Sequence, residues 1–258
     1  MPATPALLRV VEREARVFRR LWRGSVYSSF ITPVLFLAAM GVGLGGLIDE
    51  RNGAVGGLDY LSFVAPGLLA ASAMQTAAGE SLWPVMAGTK WVRTFHAMVA
   101  TPVGASDVYG GFVVWTAARV AMSASAFVLV AALLGGVPSF WGVLAVPAAV
   151  LCAAAFAAPL AAFAATQDTD VTFPLILRLA IVPLFLFSGT FFPVSELPAG
   201  LRAASAVSPL WHGVELCRAA TTGSVHWGAA IVHIAALTGC VAAGWWWGTR
   251  TFTRKLAQ

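Results

Sequence analysis

Few residues in this chain could do chemistry, and their spacing excludes most kinds of it. An enzyme needs an activated nucleophile, a metal cluster or paired carboxylates. The chain contains no Gly-x-Ser-x-Gly and no His-Glu-x-x-His pattern. Gly88-Thr89-Lys90 lacks both the upstream glycine and the Gly-Lys-Ser/Thr order that cradles phosphates. Cys152, Cys217 and Cys240 lie far apart without a Cys-x-x-Cys pair, so neither a disulfide framework nor a zinc site follows. His226 and His233 are seven residues apart and fit one helix face, but two imidazoles without further ligands make no metal site. The expectation is a chain with no catalytic residue, no metal and no cofactor of its own, unable to hydrolyse ATP alone.

What remains is charge placed where charge is costly. Glu80 ends one apolar stretch, Arg119 sits about two turns inside the next, and Arg178 lies within a third. Charges inside a bilayer pair with one another, snorkel to the interface or serve a pathway. Glu80 and Arg119 can pair at similar depth, and Arg178 can turn back toward Asp168 or Asp170. No carboxylate falls at mid-membrane, which argues against a proton-driven pump.

The elements that position these charges read as an all-α, polytopic membrane protein. Of 258 residues, 59% are hydrophobic and 10% charged, against about 25% charged in soluble domains. Apolar stretches at about 26–48, 61–82, 111–134, 140–164, 173–192 and 228–248 predict six transmembrane helices in one domain, 26–258. Residues 1–25 form a separate amphipathic helix. Arg9, Arg13, Arg16 and Arg20 fall on one stripe opposite Val10, Val17 and Phe18, as in a helix lying at a membrane surface. Trp245, Trp246 and Trp247 close the sixth span as an interfacial belt.

Lys and Arg set the orientation. With the N-terminus inside, the cytoplasmic segments carry Arg9, Arg13, Arg16, Arg19, Arg20, Arg23, Lys90, Arg93, Arg250, Arg254 and Lys255, and the external ones only Arg51, Arg202 and Arg218. Both termini are therefore expected in the cytoplasm. The net charge of +5 fits anionic lipid better than nucleic acid, because the basic residues flank apolar spans. The loop at about 83–109 is the longest cytoplasmic one, and its middle, 89–100, predicts a short helix of about three turns. The segment at about 193–227 is expected outside. Gly189, Phe191, Phe192 and Pro193 break the fifth span, and Pro209 and Glu215 belong to a second short apolar piece. Both pieces suit a re-entrant helical hairpin, since irregular backbone at membrane depth must be covered by protein or face a cavity.

Several separated segments carry a family resemblance. They are Pro33-Val34-Leu35-Phe36-Leu37, Gly41-Val42-Gly43-Leu44-Gly45, Phe63-Val64-Ala65-Pro66-Gly67-Leu68-Leu69-Ala70 and Ala100-Thr101-Pro102-Val103. With them stands Phe187-Ser188-Gly189-Thr190-Phe191-Phe192-Pro193, followed by Leu197-Pro198 and Ser208-Pro209-Leu210. Together these resemble the ATP-binding-cassette type 2 permease family, most closely permeases of lipo-oligosaccharide (nodulation factor) and daunorubicin-type drug exporters. The resemblance implies the permease subunit of an exporter in a bacterial inner membrane. A separate ATPase subunit would hold ATP and Mg, and two copies of this chain, or one copy with a related permease, would form the path. It also implies that Lys90, Arg93, Thr101 and Pro102 belong to the element that couples to the ATPase. An ion-gradient transporter and a non-transporting scaffold are the competing expectations.

Overall fold

The structure is a computed structural model that describes residues 5–26, 31, 35, 37–44 and 57–257. Most of the expected first span, with Arg51 and its loop, lies outside the described residues. Helix α1 is Ala6–Val26. Leu37–Leu44 is a π-helical piece whose Leu37 is fully buried. Then follow α2 (Tyr60–Met86, continued by a π-helical turn, Ala87–Trp91), α3 (Thr94–Val99) and α4 (Ala105–Leu133). A 3-10 turn, Phe140–Leu144, leads into α5 (Ala145–Thr166). The chain continues through α6 (Thr172–Phe187), α7 (Ala199–Val207), α8 (Pro209–Thr222) and α9 (Trp227–Leu256). The described residues form no sheet.

Among the described residues, four segments are long and apolar enough to cross a membrane: Tyr60–Trp91, Ala105–Leu133, Phe140–Thr166 and Trp227–Leu256. They correspond to the expected second, third, fourth and sixth spans. The expected fifth span is α6, and it stops short. It ends at Phe187, not at residue 192, because Gly189 turns the chain with φ +80° and Pro193 follows. Sixteen residues make a helix of about 24 Å, less than a bilayer core of about 30 Å. The short helix expected over 89–100 is also smaller. Its first part continues α2 as the π-helical turn, and Arg93, with φ +57°, breaks the chain before the six-residue α3.

Local signals account for the helix ends. The Asp59 carboxylate accepts from the Ser62 amide at 3.3 Å and caps α2. The Asp107 carboxylate accepts from the Gly104 amide at 3.1 Å at the start of α4. Ser208 Oγ accepts from the Leu210 amide at 3.2 Å, and Pro209 takes the first position of α8, where no amide is missed. Gly223, with φ +75°, ends α8.

The bundle is built around α5, whose buried face is almost all small: Ala149, Cys152, Ala153, Ala157, Ala158, Ala161 and Ala165. Helices α2, α4, α8 and α9 all pack against it. In lipid the tails are as apolar as the side chains, so association depends on close backbone approach and on polar pins. Glycines supply the approach. A Cβ on Gly213 of α8 would lie 2.5 Å from Cys152 Sγ, and one on Gly244 of α9 would lie 2.6 Å from the Pro159 nitrogen. Tyr109 supplies a pin. Fully buried, its hydroxyl lies 3.0 Å from the Ala158 carbonyl and 2.9 Å from the Gly244 carbonyl, tying α4 to α5 and α9.

Helix α8 descends into this bundle from one end. Its last turn lies beside the start of α5, where the Thr221 carbonyl accepts from the Ser139 amide at 3.0 Å. Its first turns lie deeper, with Gly213 against Cys152. The Thr190 backbone after α6 reaches the level of Gly67, where a Cβ would meet it at 2.7 Å.

The Gly244 contact is with backbone, so it cannot relax by rotating a side chain. Gly244→Ala is expected to destabilise the bundle by about 1–3 kcal/mol. Gly239→Ala on the same helix has nothing within 4 Å and is expected to leave stability unchanged or raised. Thermal unfolding of the purified protein in detergent measures both.

Candidate functional site

Polar side chains cluster at a basic end, around the Glu80–Arg119 pair within the bundle, and at the opposite end. The basic end holds α1, α3, the α5–α6 connection and the end of α9. Here Lys90 Nζ donates to Asp168 Oδ1 at 2.5 Å, and Lys255 Nζ reaches the same oxygen at 3.4 Å. One carboxylate on the α5–α6 connection thus links the extension of α2 to the end of α9. Hydrogen bonds from Lys90 and then Lys255 hold the Asp168 carboxyl below its ordinary value of 3.8. A depressed acid favours the folded state above its unfolded pKa and loses that contribution only as pH falls through the folded value. The bridge therefore persists across neutral pH.

The structure divides the four expected coupling residues between two places. Thr101 and Pro102 line an open cleft of 440 Å³ between α3 and α1, with Arg9 and Arg13 on its other wall. Lys90 and Arg93 line a separate pocket of 150 Å³ with Thr89, His96 and Lys255. The two places meet at α3, whose buried Phe95 is wedged against Phe112 of α4 at 6.0 Å and Phe252 of α9 at 5.8 Å between centroids. Gly88 makes room for that ring, since a Cβ there would lie 2.6 Å from it.

Helix α1 leans on α4. Val10 is buried against Gly111, where a Cβ would meet it at 2.6 Å. Phe18 stacks edge-on to Trp115 at 5.7 Å. Arg16 and Arg20 are exposed, and Arg16 pairs with Glu12 at 2.6 Å.

Glu80 and Arg119 lie 2.5 Å apart, with side chains 29% and 14% exposed. The Arg119 guanidinium also covers the Phe18 ring at 5.4 Å, so α1, α2 and α4 meet at this pair. Arg178 does not turn back to the acids before it. Asp168 is taken by Lys90 and Lys255, and Asp170 accepts from Trp83 Nε1 at 3.3 Å. Arg178 sits on the exposed face of α6 beside Leu175 and Leu179, with no ion-pair partner among the described residues. It lies in a π-helical turn, Leu177–Ile181.

At the opposite end, Gly189, Phe191, Phe192 and Pro193 form the turn after α6. Phe191 packs edge-on to Phe185 at 5.0 Å. Ser188 and Ser208 share a hydrogen bond at 3.0 Å, which joins the end of α6 to the start of α8 beside Pro209. Arg218 is the pin of this end. It pairs with Glu215 at 2.7 Å, donates to the Gly189 carbonyl at 2.7 Å and to the Phe63 carbonyl at 3.4 Å, and covers the Phe63 ring at 4.1 Å. The i,i+3 spacing of Glu215 and Arg218 was a legible signal of their pairing. His233 meets His212 of α8, Nδ1 to Nδ1 at 2.7 Å, not His226. Trp211 lies against both rings at 4.9 and 5.0 Å. Twenty-one residues separate these histidines, and nothing in the local pattern announces the contact. No cluster of three or more metal-ligating side chains occurs among the described residues.

The Glu80–Arg119 pair can be tested by a double-mutant cycle. Glu80→Gln and Arg119→Gln each leave one half-buried charge without its partner, so each is expected to lower the unfolding temperature. The double variant is expected to lose less than their sum, with a coupling of about 0.5–3 kcal/mol. Additive losses in detergent would show that the pair is not an energetic unit.

Residues 6–221, from α1 through α8, match the ABC-2 type transporter family. Nodulation protein J of Rhizobium meliloti (strain 1021) is 28% identical over 249 residues, covering 96% of this chain and 92% of its own length. Nodulation protein J of Sinorhizobium fredii (strain NBRC 101917 / NGR234) is 30% identical over 244 residues, with 94% and 90% covered. Inner membrane transport permease YadH of Escherichia coli (strain K12) is 28% identical over 108 residues, with 42% and 40% covered. With four membrane-length helices among its described residues and a match running from α1 through α8, this chain is a multi-pass membrane transport permease of the ABC-2 type transporter family.

Proposed function

We infer that this chain is the permease subunit of an ATP-binding-cassette exporter. It moves an amphiphile, a lipo-oligosaccharide, lipid or drug, out of the cytoplasm or inner leaflet of a bacterial inner membrane. ATP and Mg are handled by a separate ATPase subunit. Two copies, or one copy with a related permease, form the path, with both termini in the cytoplasm. The substrate class rests on the similarity to the Nodulation protein J chains and on the resemblance of the quoted segments.

The observation that carries the reading is the basic end. An exposed cleft between α1 and α3 offers a docking surface, and its floor is wired into the bundle through Phe95, Phe112 and Phe252. A partner that pushes on α3 displaces α4 and α9 directly, because packed rings transmit a shift that a loop would absorb. The chain itself has no phosphate-cradling motif with which to use ATP. The descent of α8 beside Cys152, and the stop of α6 at Gly189, support a re-entrant hairpin that shapes the exit. The outward arginines of α1, with Val10 buried on α4, support a helix at the cytoplasmic membrane surface.

Coupling of this kind requires that ATP binding favour one state of the permease over another through that contact. Replacing Lys90 and Arg93 together by Glu is expected to cut ATP-dependent transport roughly tenfold or more, the loss of about 1.4 kcal/mol of coupling. Membrane insertion should persist. The purified chain alone is expected to show no ATPase activity, and an ATPase subunit should co-purify with it from its native membrane. Transport unchanged by the double substitution would remove this loop from the coupling element.

A further inference from the structure

The pocket formed by Lys90, Arg93, His96 and Lys255 points to a ligand that the coupling reading does not supply. Its 150 Å³ holds about five waters. Three cationic side chains line it, and the nearest acid, Asp168, stands outside the lining, 77% exposed. Lys90 and Lys255 already converge on one oxygen, Asp168 Oδ1, so two ammonium groups from distant elements are preset to share a single anionic atom. His96 Nδ1 is shielded from solvent and has no hydrogen-bond partner.

The backbone is set for the same purpose. Arg93 holds φ +57° and ψ +29°, and it is the one described non-glycine residue with positive φ. That conformation is disfavoured for a residue with a Cβ and recurs where a side chain must be aimed at a site. Trp91 and Val92, between Lys90 and Arg93, are 56% and 68% exposed. Cationic groups flanked by an exposed Trp fit an anionic headgroup at a membrane interface.

We propose that this pocket binds the phosphate of a net-anionic lipid headgroup at the cytoplasmic surface, its cationic lining repelling a headgroup that carries its own ammonium, and that Asp168 competes with it for Lys90 and Lys255. A phosphate offers oxygens to the Arg93 fork and to both lysines at once. The pocket then has two arrangements: latched by the protein's own carboxylate, or filled by the ligand with Asp168 released. The test is made on the permease alone, so it can fail while the ATPase coupling stands, and the reverse.

The experiment is native mass spectrometry of the purified full-length protein in detergent, with phosphatidylglycerol or phosphatidylcholine added. Preferential retention of phosphatidylglycerol is expected. Arg93→Gly and Lys255→Gln should each weaken it about fivefold, the effect of one basic residue at an anionic surface. Arg93→Gly suits the left-handed backbone and should raise the melting temperature, so its loss of binding cannot be loss of fold. Asp168→Asn should tighten binding by removing the competitor. Titration with inorganic phosphate decides the source. Displacement only at a large molar excess over the lipid assigns the site to the lipid headgroup, displacement at equal concentration assigns it to free phosphate, and no displacement at any concentration overturns it. Equal retention of the two lipids, or a loss of binding in Asp168→Asn, overturns it.

Discussion

In a bilayer, apolar side chains gain little by meeting one another, so a bundle must be held by fit and by polar pins. Everything in this molecule follows from how that is done around α5. Its alanine-rich face lets four helices approach closely, and Gly213 and Gly244 bring two of them into contact with Cys152 and Pro159. Tyr109 then ties the α4, α5 and α9 layers through two backbone carbonyls. Because the fit is tight, a displacement at one end is not absorbed locally.

The same economy governs charge. Arg119 is placed only with Glu80 beside it, and Arg218 only with Glu215, two carbonyls and a ring around its terminal nitrogens. Arg119 stands halfway along α4, so its pin with Glu80 lies within the bundle, while Arg218 pins the end after α6. Asp168 does a related job at the basic end, where one carboxylate holds the extension of α2 against α9. Packed side chains connect the α1–α3 cleft, the ring cluster at Phe95 and the α5 axis, and the turn after α6 lies toward the opposite end.

Elements with strong local signals were legible in the sequence. Six apolar runs and the family resemblance could be read directly, and four of the runs are membrane-length helices among the described residues, since hydropathy over about 20 residues is a property of the segment itself. Glu80 and Arg119 could be matched by depth. The early stop of α6 could not be placed to the residue, because a Gly and a Pro a few positions apart both end helices and only the turn at Gly189 decides between them. The shortness of α3 escaped for a similar reason, as nothing marks Arg93 as left-handed. Other contacts made by packing were not legible. Asp168 is nearer in sequence to Arg178, yet Lys90 and Lys255 take it, 78 and 87 residues away. His233 has His226 one helical face away but meets His212. The coupling set came from resemblance over a contiguous loop, and the left-handed break divides that loop into two surfaces.

On the proposed function, this tightly packed bundle moves cargo only when an ATPase works on its basic end. The direct measurement is transport of a fluorescent amphiphile in vesicles that contain the purified chain, with and without the partner ATPase and ATP. Transport is expected only when chain, ATPase and ATP are all present, unaffected by collapsing ion gradients. Transport by the chain alone, abolished by an ionophore, would contradict it.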